Sequence, residues 1–171
     1  VFIGKSAGEA STGEYSVVIG SMAMYSGTGS NSVAIGYESS KVSTGNSNVS
    51  AGYQSMKANV AGYNNTAIGN KALYTNISGN DNVSVGNYAG YVATGSGGTF
   101  VGSYAGASIT TGARNVAMGY RALDAANDES DNIAIGYDAL GGNINGGEKN
   151  IALGNYAGYG LTSGEGNVII G

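Results

Sequence analysis

Asn132-Ile133-Ala134-Ile135-Gly136-Tyr137-Asp138-Ala139-Leu140 is the stretch on which the fold turns. β-Branched residues at 133 and 135 flank a small one at 134, the period-two pattern of a short strand. A glycine then closes it. The same apolar-x-apolar-Gly signal returns along the whole chain, ending at Gly4, Gly20, Gly36, Gly52, Gly69, Gly86, Gly102, Gly119, Gly136, Gly154 and Gly171. Successive anchors stand 16 to 18 residues apart. The chain is therefore a tandem array of about ten units, and a repeat of this kind dictates the architecture.

Aligning the units on the anchor gives each position a role. An Asn or Ser opens most strands, as at Ser16, Ser32, Asn48, Asn65, Asn82, Asn115, Asn132, Asn150 and Asn167. A small residue follows three places after the anchor, as at Ala72, Ala89, Ala105, Ala122 and Ala139. A second turn comes next, Thr28-Gly29, Thr44-Gly45, Thr94-Gly95 and Thr111-Gly112 among its examples. Each unit reads as strand, tight turn, short second segment, looser turn. Glycine density and the two-residue period exclude a helix. The expected fold is all-β: a parallel β-solenoid of about ten coils of 16–18 residues, filling residues 1–171 as one repeat domain. With coils about 4.8 Å apart, ten make a rod of roughly 48 Å.

Composition agrees with this economy. Glycine takes 32 of 171 positions, and proline, cysteine, histidine and tryptophan are absent. Leu, Ile, Val and Phe are under a fifth of the residues, yet only 11% are charged. Such a chain must place its few large apolar side chains sparingly to fold at all. A lone coil cannot hold: burying its Val/Ile pair yields about 3–6 kcal/mol, against on the order of 20 kcal/mol or more to order sixteen residues. Stacking supplies the rest.

The residue two before the anchor points away from the Val/Ile pair. Taking that pair as the core, Phe2, Val18, Ala34, Ala67, Phe100, Ala117, Ala134 and Ala152 face outward, with Ser50 and Ser84 in the same column. None of this column is charged, which is unusual for a solvated strand face. It is expected to be an oligomer face, covered by other copies of the chain. The chain also opens and closes within the repeat pattern, as a fragment of a longer fibre would.

The unit N-[VIT]-x-[IVLM]-G-x-x-A, with its T-G turn, resembles the head repeats of trimeric autotransporter adhesins. It is still more similar to repeat regions of phage and phage-like tail fibres, whose units read A-I-G-x-x-A-L. Asn65-Thr66-Ala67-Ile68-Gly69-Asn70-Lys71-Ala72-Leu73 and the 132–140 stretch match that pattern throughout. The resemblance covers essentially the whole chain. It implies a left-handed β-roll, a homotrimer around one axis, and display outside the cell on a virion tail fibre or bacterial surface. There it would take part in attachment to a host glycan or protein receptor.

Other chemistry finds little footing. Nucleophilic triads and most metal sites draw on His or Cys, so neither an enzyme nor a metal or cofactor site is expected. The net charge of −4 carries no basic footprint for nucleic acid, and no apolar run is long enough for membrane insertion. Gly4-Lys5-Ser6 lacks the rest of a phosphate loop. Asp128, Glu129 and Asp131 read as a solvated loop before a Ca²⁺ site. Glycosylation triplets at Asn48, Asn64, Asn76 and Asn82 are of the number an Asn/Ser-rich chain produces by chance. Columns after the anchor should stack Tyr37 on Tyr53, Tyr88 on Tyr104 and Tyr120 on Tyr137, with Arg121 reaching Asp138. Tyr88, Tyr104 and Arg121 are the candidate surface-binding residues, suited to a glycan. The alternative function is ice binding, through the ladder of turn threonines.

Overall fold

The computed structural model describes residues 1–171. Eleven strands run from Phe2–Ile3 to Val168–Ile170, each ending at an anchor glycine. They form one parallel sheet in strict sequence order. Register is one repeat per step: Ile133 pairs with Ile151, Ala134 with Ala152, Ile135 with Leu153. The chain is an all-β parallel solenoid of about ten coils, as the repeat predicts.

The second side of each coil is not a strand. Two and four places after each anchor from Gly4 to Gly154 the backbone enters the left-handed region. Lys71 and Leu73 have φ of 53° and 47°, and Arg121 and Leu123 of 55° and 53°. A left-handed L-residue costs roughly 1–2 kcal/mol. Bonds between coils offset that cost and run in both directions. Lys71 N–H donates to Tyr53 C=O in the coil before (2.9 Å), and Leu73 N–H to Ala89 C=O in the coil after (3.0 Å). The short second segment of each unit is thus a hydrogen-bonded run of turns.

The core also inverts the expected facing of the strand. Val18, Ala34, Ala67, Phe100, Ala117, Ala134 and Ala152 are buried inside their own chain; only Phe2, in the first coil, is exposed. The Val/Ile pair points out. The reason is the width of the coil. The residue two before the anchor meets, across the lumen, both the residues three and four after it, such as Ala139 and Leu140. So narrow a section admits Ala or Ser at most positions and has no room for a Val/Ile pair. The column assigned to partner chains is therefore core, and the outward face is the one carrying Val33, Ile35, Ile68, Val83, Met118 and Ile135.

Buried asparagines lock the register. Asn65 N–H donates to the Asn48 side-chain oxygen (2.9 Å), and Asn82 N–H does the same to Asn65. The Asn48 and Asn65 amides in turn donate to the carbonyls of Gly62 and Gly79, both at 2.8 Å. This satisfies buried polar groups at most steps, with a break at Gly98, and it takes up Asn48 and Asn82 of the four glycosylation triplets. Asn76 is also buried, with its amide bonded at both ends to Gly79, whereas Asn64 lies at the surface.

Candidate functional site

The rod has no pocket, and no group of three or more carboxylates or other ligating residues lies close enough together to hold a metal ion. Two surfaces stand out instead. The first is the outer face of the sheet. Three and one places before the anchors, 22 positions carry no charge and only two polar residues, Thr66 and Thr99. Ile68 and Ile135 there are 43% and 39% exposed. A long flat apolar sheet face of this kind is normally covered.

The second surface is a strip of tyrosines beside the anchor turn. Tyr88 and Tyr104 adopt the left-handed conformation (φ 56° and 60°), and Tyr104 is 39% exposed. Their N–H groups donate to Asn70 and Asn87 of the preceding coils, both at 2.9 Å. Because like positions repeat every coil, the rings stack. Tyr37 lies on Tyr53 at 5.5 Å, Tyr88 on Tyr104 at 5.3 Å and Tyr120 on Tyr137 at 5.4 Å between centroids, as the alignment predicts. Sequence reasoning missed a further column, five places after the anchor, which adds Tyr74, Tyr91 and Tyr159. Carrying the alignment two residues further would have found it. The result is an unbroken chain of eight rings, Tyr74–Tyr91–Tyr88–Tyr104–Tyr120–Tyr137–Tyr156–Tyr159, each 5.1 to 6.3 Å from the next.

The strip carries its own cationic side chains. The Lys71 ammonium lies 5.4 Å from the Tyr88 centroid and 5.7 Å from that of Tyr74. The neighbouring Tyr88 phenol holds the Lys71 pKa above its ordinary value. Arg121 follows Tyr104 in the same column, so the three candidate residues do lie together. Arg121 donates chiefly to Asp124 (2.8 Å); its reach to Asp138 is longer, at 3.6 Å. Asp138 is buried, not solvated as its column suggests. Stacking of Tyr88 on Tyr104 and of Tyr120 on Tyr137 covers one face of each of these rings.

Two charge networks flank the strip, and the first touches it, with the Lys57 ammonium 5.9 Å from the Tyr74 centroid. Glu38 accepts from Lys41 (2.6 Å), Lys57 (2.7 Å) and Gln54 (2.8 Å). Lys41 first, then Lys57, hold its carboxyl down to about 2. On the other flank, Arg114 forks onto Asp131 at 2.6 and 2.7 Å. Glu129, read from sequence as solvated, is buried. Its oxygens accept from the N–H groups of Asn127 (2.7 Å), Asp128 (3.1 Å) and, in the next coil, Gly146 (3.0 Å). The side chain replaces the turn glycine of other coils and ties the loop down.

The chain matches no protein-family model, no curated protein and no solved structure.

Proposed function

We infer that the chain is a structural segment of a trimeric attachment fibre, a phage tail fibre or a cell-surface adhesin displayed outside the cell. In this reading three left-handed rolls pack their sheet faces around a common axis. The observation that carries it is the uncharged Val/Ile face running the length of the rod, which burial between identical chains would remove from water. Tyr88, Tyr104 and Arg121 then lie on the flank, where a host glycan or protein receptor would meet the fibre. Ice binding is less well supported. The hydroxyls of the turn threonines Thr44 and Thr94 donate to backbone carbonyls of the following coil, and the column is broken by Ala61, Ser78 and Asp128, the neighbour of Glu129. Light scattering on the purified segment tests the reading: it requires a particle of three chains, and a stable monomer removes it.

A further inference from the structure

We propose that the tyrosine strip is a site of oxidative modification, at which stacked tyrosines of adjacent coils are joined by a carbon–carbon bond. The chain holds no cysteine, tryptophan or histidine, so tyrosine is its most readily available one-electron donor. Of the four methionines, Met24 and Met56 are fully buried, and thioethers react with peroxide mainly by oxygen transfer. Ten of the thirteen tyrosines touch another ring, and four pairs stack across neighbouring coils within 23° of parallel: Tyr37–Tyr53, Tyr74–Tyr91, Tyr88–Tyr104 and Tyr120–Tyr137. Tyr88 and Tyr104 are the most nearly parallel, at 7°.

The oxidant is hydrogen peroxide acting through a ferryl haem of the peroxidase class. Each phenol gives up one electron and one proton to become a phenoxyl radical. Two radicals couple at their ring carbons ortho to oxygen, and the ortho hydrogens shift to oxygen to restore two phenols. The two electrons and two protons released reduce one peroxide to two waters. The eight-ring chain gives a radical formed at any member a path to a stacked partner. Partners are already held side by side by the coil register, so coupling needs only a tilt of the outer ring edges. The bond between Tyr88 and Tyr104 spans one coil, as a disulfide would in a chain that had cysteine. None of this depends on how many chains assemble.

Stacking and simple exposure make opposite forecasts. Tyr15 is the most exposed tyrosine, at 85%, but it has no ring neighbour, and neither do Tyr25 and Tyr63. The test treats an equal mixture of unlabelled and ¹⁵N-labelled chain with a haem peroxidase and hydrogen peroxide. Dityrosine fluorescence then follows the yield, and mass spectrometry maps the linked peptides. Single-isotope links confined to the stacked pairs are expected, with the Tyr88–Tyr104 link lost in Tyr88→Phe and the Tyr37–Tyr53 link retained. Links at Tyr15 or Tyr63 forming as fast as those in the strip, or mixed-isotope links approaching the half share that random joining between chains gives, would overturn the proposal.

Discussion

The ring of Phe100 occupies the space that a side chain at Gly106 would need. A Cβ built there falls 2.5 Å from Phe100 Cε1. Gly90 and Gly98 make room in the same way, with Cβ positions 2.7 Å from Cδ2 and 2.5 Å from Cζ of the same ring. Elsewhere the trade is reversed: Ala67 is followed by Leu73, Ala117 by Leu123 and Ala134 by Leu140. In these coils the lumen keeps a similar filled volume, supplied from one wall or the other.

This exchange predicts a compensating pair. Phe100→Ala should cost about 3–5 kcal/mol through the cavity it leaves. Gly106→Leu alone should cost as much or more, through overlap. Combined, they rebuild the Ala117/Leu123 arrangement, and the left-handed backbone at Gly106 (φ 58°) is one that Leu123 already tolerates (φ 53°). The double variant should recover more than half of the Phe100→Ala loss. Urea denaturation of all four chains checks this, and simple additivity would count against the constant-volume account.

The anchor glycines make a second prediction. At Gly69, φ is +135°, and a Cβ would lie 2.7 Å from the carbonyl carbon of Gly86 in the next coil. At Gly160 the φ is not in the left-handed range and nothing lies within 4 Å. Gly69→Ala should therefore cost at least about 3 kcal/mol from strain and contact together, while Gly160→Ala should be neutral or slightly stabilising. Thermal melts of the two variants settle it. Gly142 is no control, because its Cβ would run into the Tyr159 carbonyl oxygen.

The repeat, the strand and the tyrosine pairs were legible because each leaves a residue signature at fixed spacing from a glycine. The facing of the strand was not. Size suggested that Ile133 and Ile135 fill the core and Ala134 faces out, but lumen width decides, and width cannot be read from one unit. The left-handed positions were hidden too, since they hold Met24, Leu73, Tyr88 and Arg121 with no shared side-chain type. The candidate site was half visible: its Tyr88–Tyr104–Arg121 column was, and the Tyr74–Tyr91 column was not.

Glu38 gives the chain an acid-sensitive clamp. Beneath it the core turns polar: Ser50 shares hydrogen bonds with Ser39 (2.6 Å) and Ser40 (2.8 Å). This serine cluster separates the small apolar group of Val18, Ala23, Met24 and Ala34 from the main core that starts at Met56. The Glu38 ion pairs bridge the two coils at that junction. The folded carboxyl titrates at about 2, against 4.5 ordinarily. A depressed folded pKa means the unfolded chain takes the proton first, so the stabilisation is complete above about pH 4.5 and is lost as pH falls toward 2. Melting temperature should fall across that window, and Glu38→Gln should flatten its slope. Melts at pH 2 to 6 check this; equal slopes would assign the acid sensitivity elsewhere.

Ala134 and Ile135 are neighbours on one strand that face opposite ways, and together they separate folding from assembly. Ala134 is fully buried within its own chain, so a lysine there must bring charge into a core with no partner for it. Ala134→Lys should unfold the chain whatever its oligomeric state, and its effect says nothing about association. Ile135 is 39% exposed and lies on the uncharged outer face. In an isolated rod Ile135→Lys would leave the ammonium in water at little cost, within about 0.5 kcal/mol. In a trimer with the sheet faces on the axis, three such charges would be brought together out of water, costing several kcal/mol per assembly. The expected result is a folded monomer: circular dichroism close to that of the parent chain, with one-chain mass by light scattering. If Ile135→Lys keeps the mass of three chains, the sheet face is not the interface, and the axial arrangement of the proposed fibre is wrong.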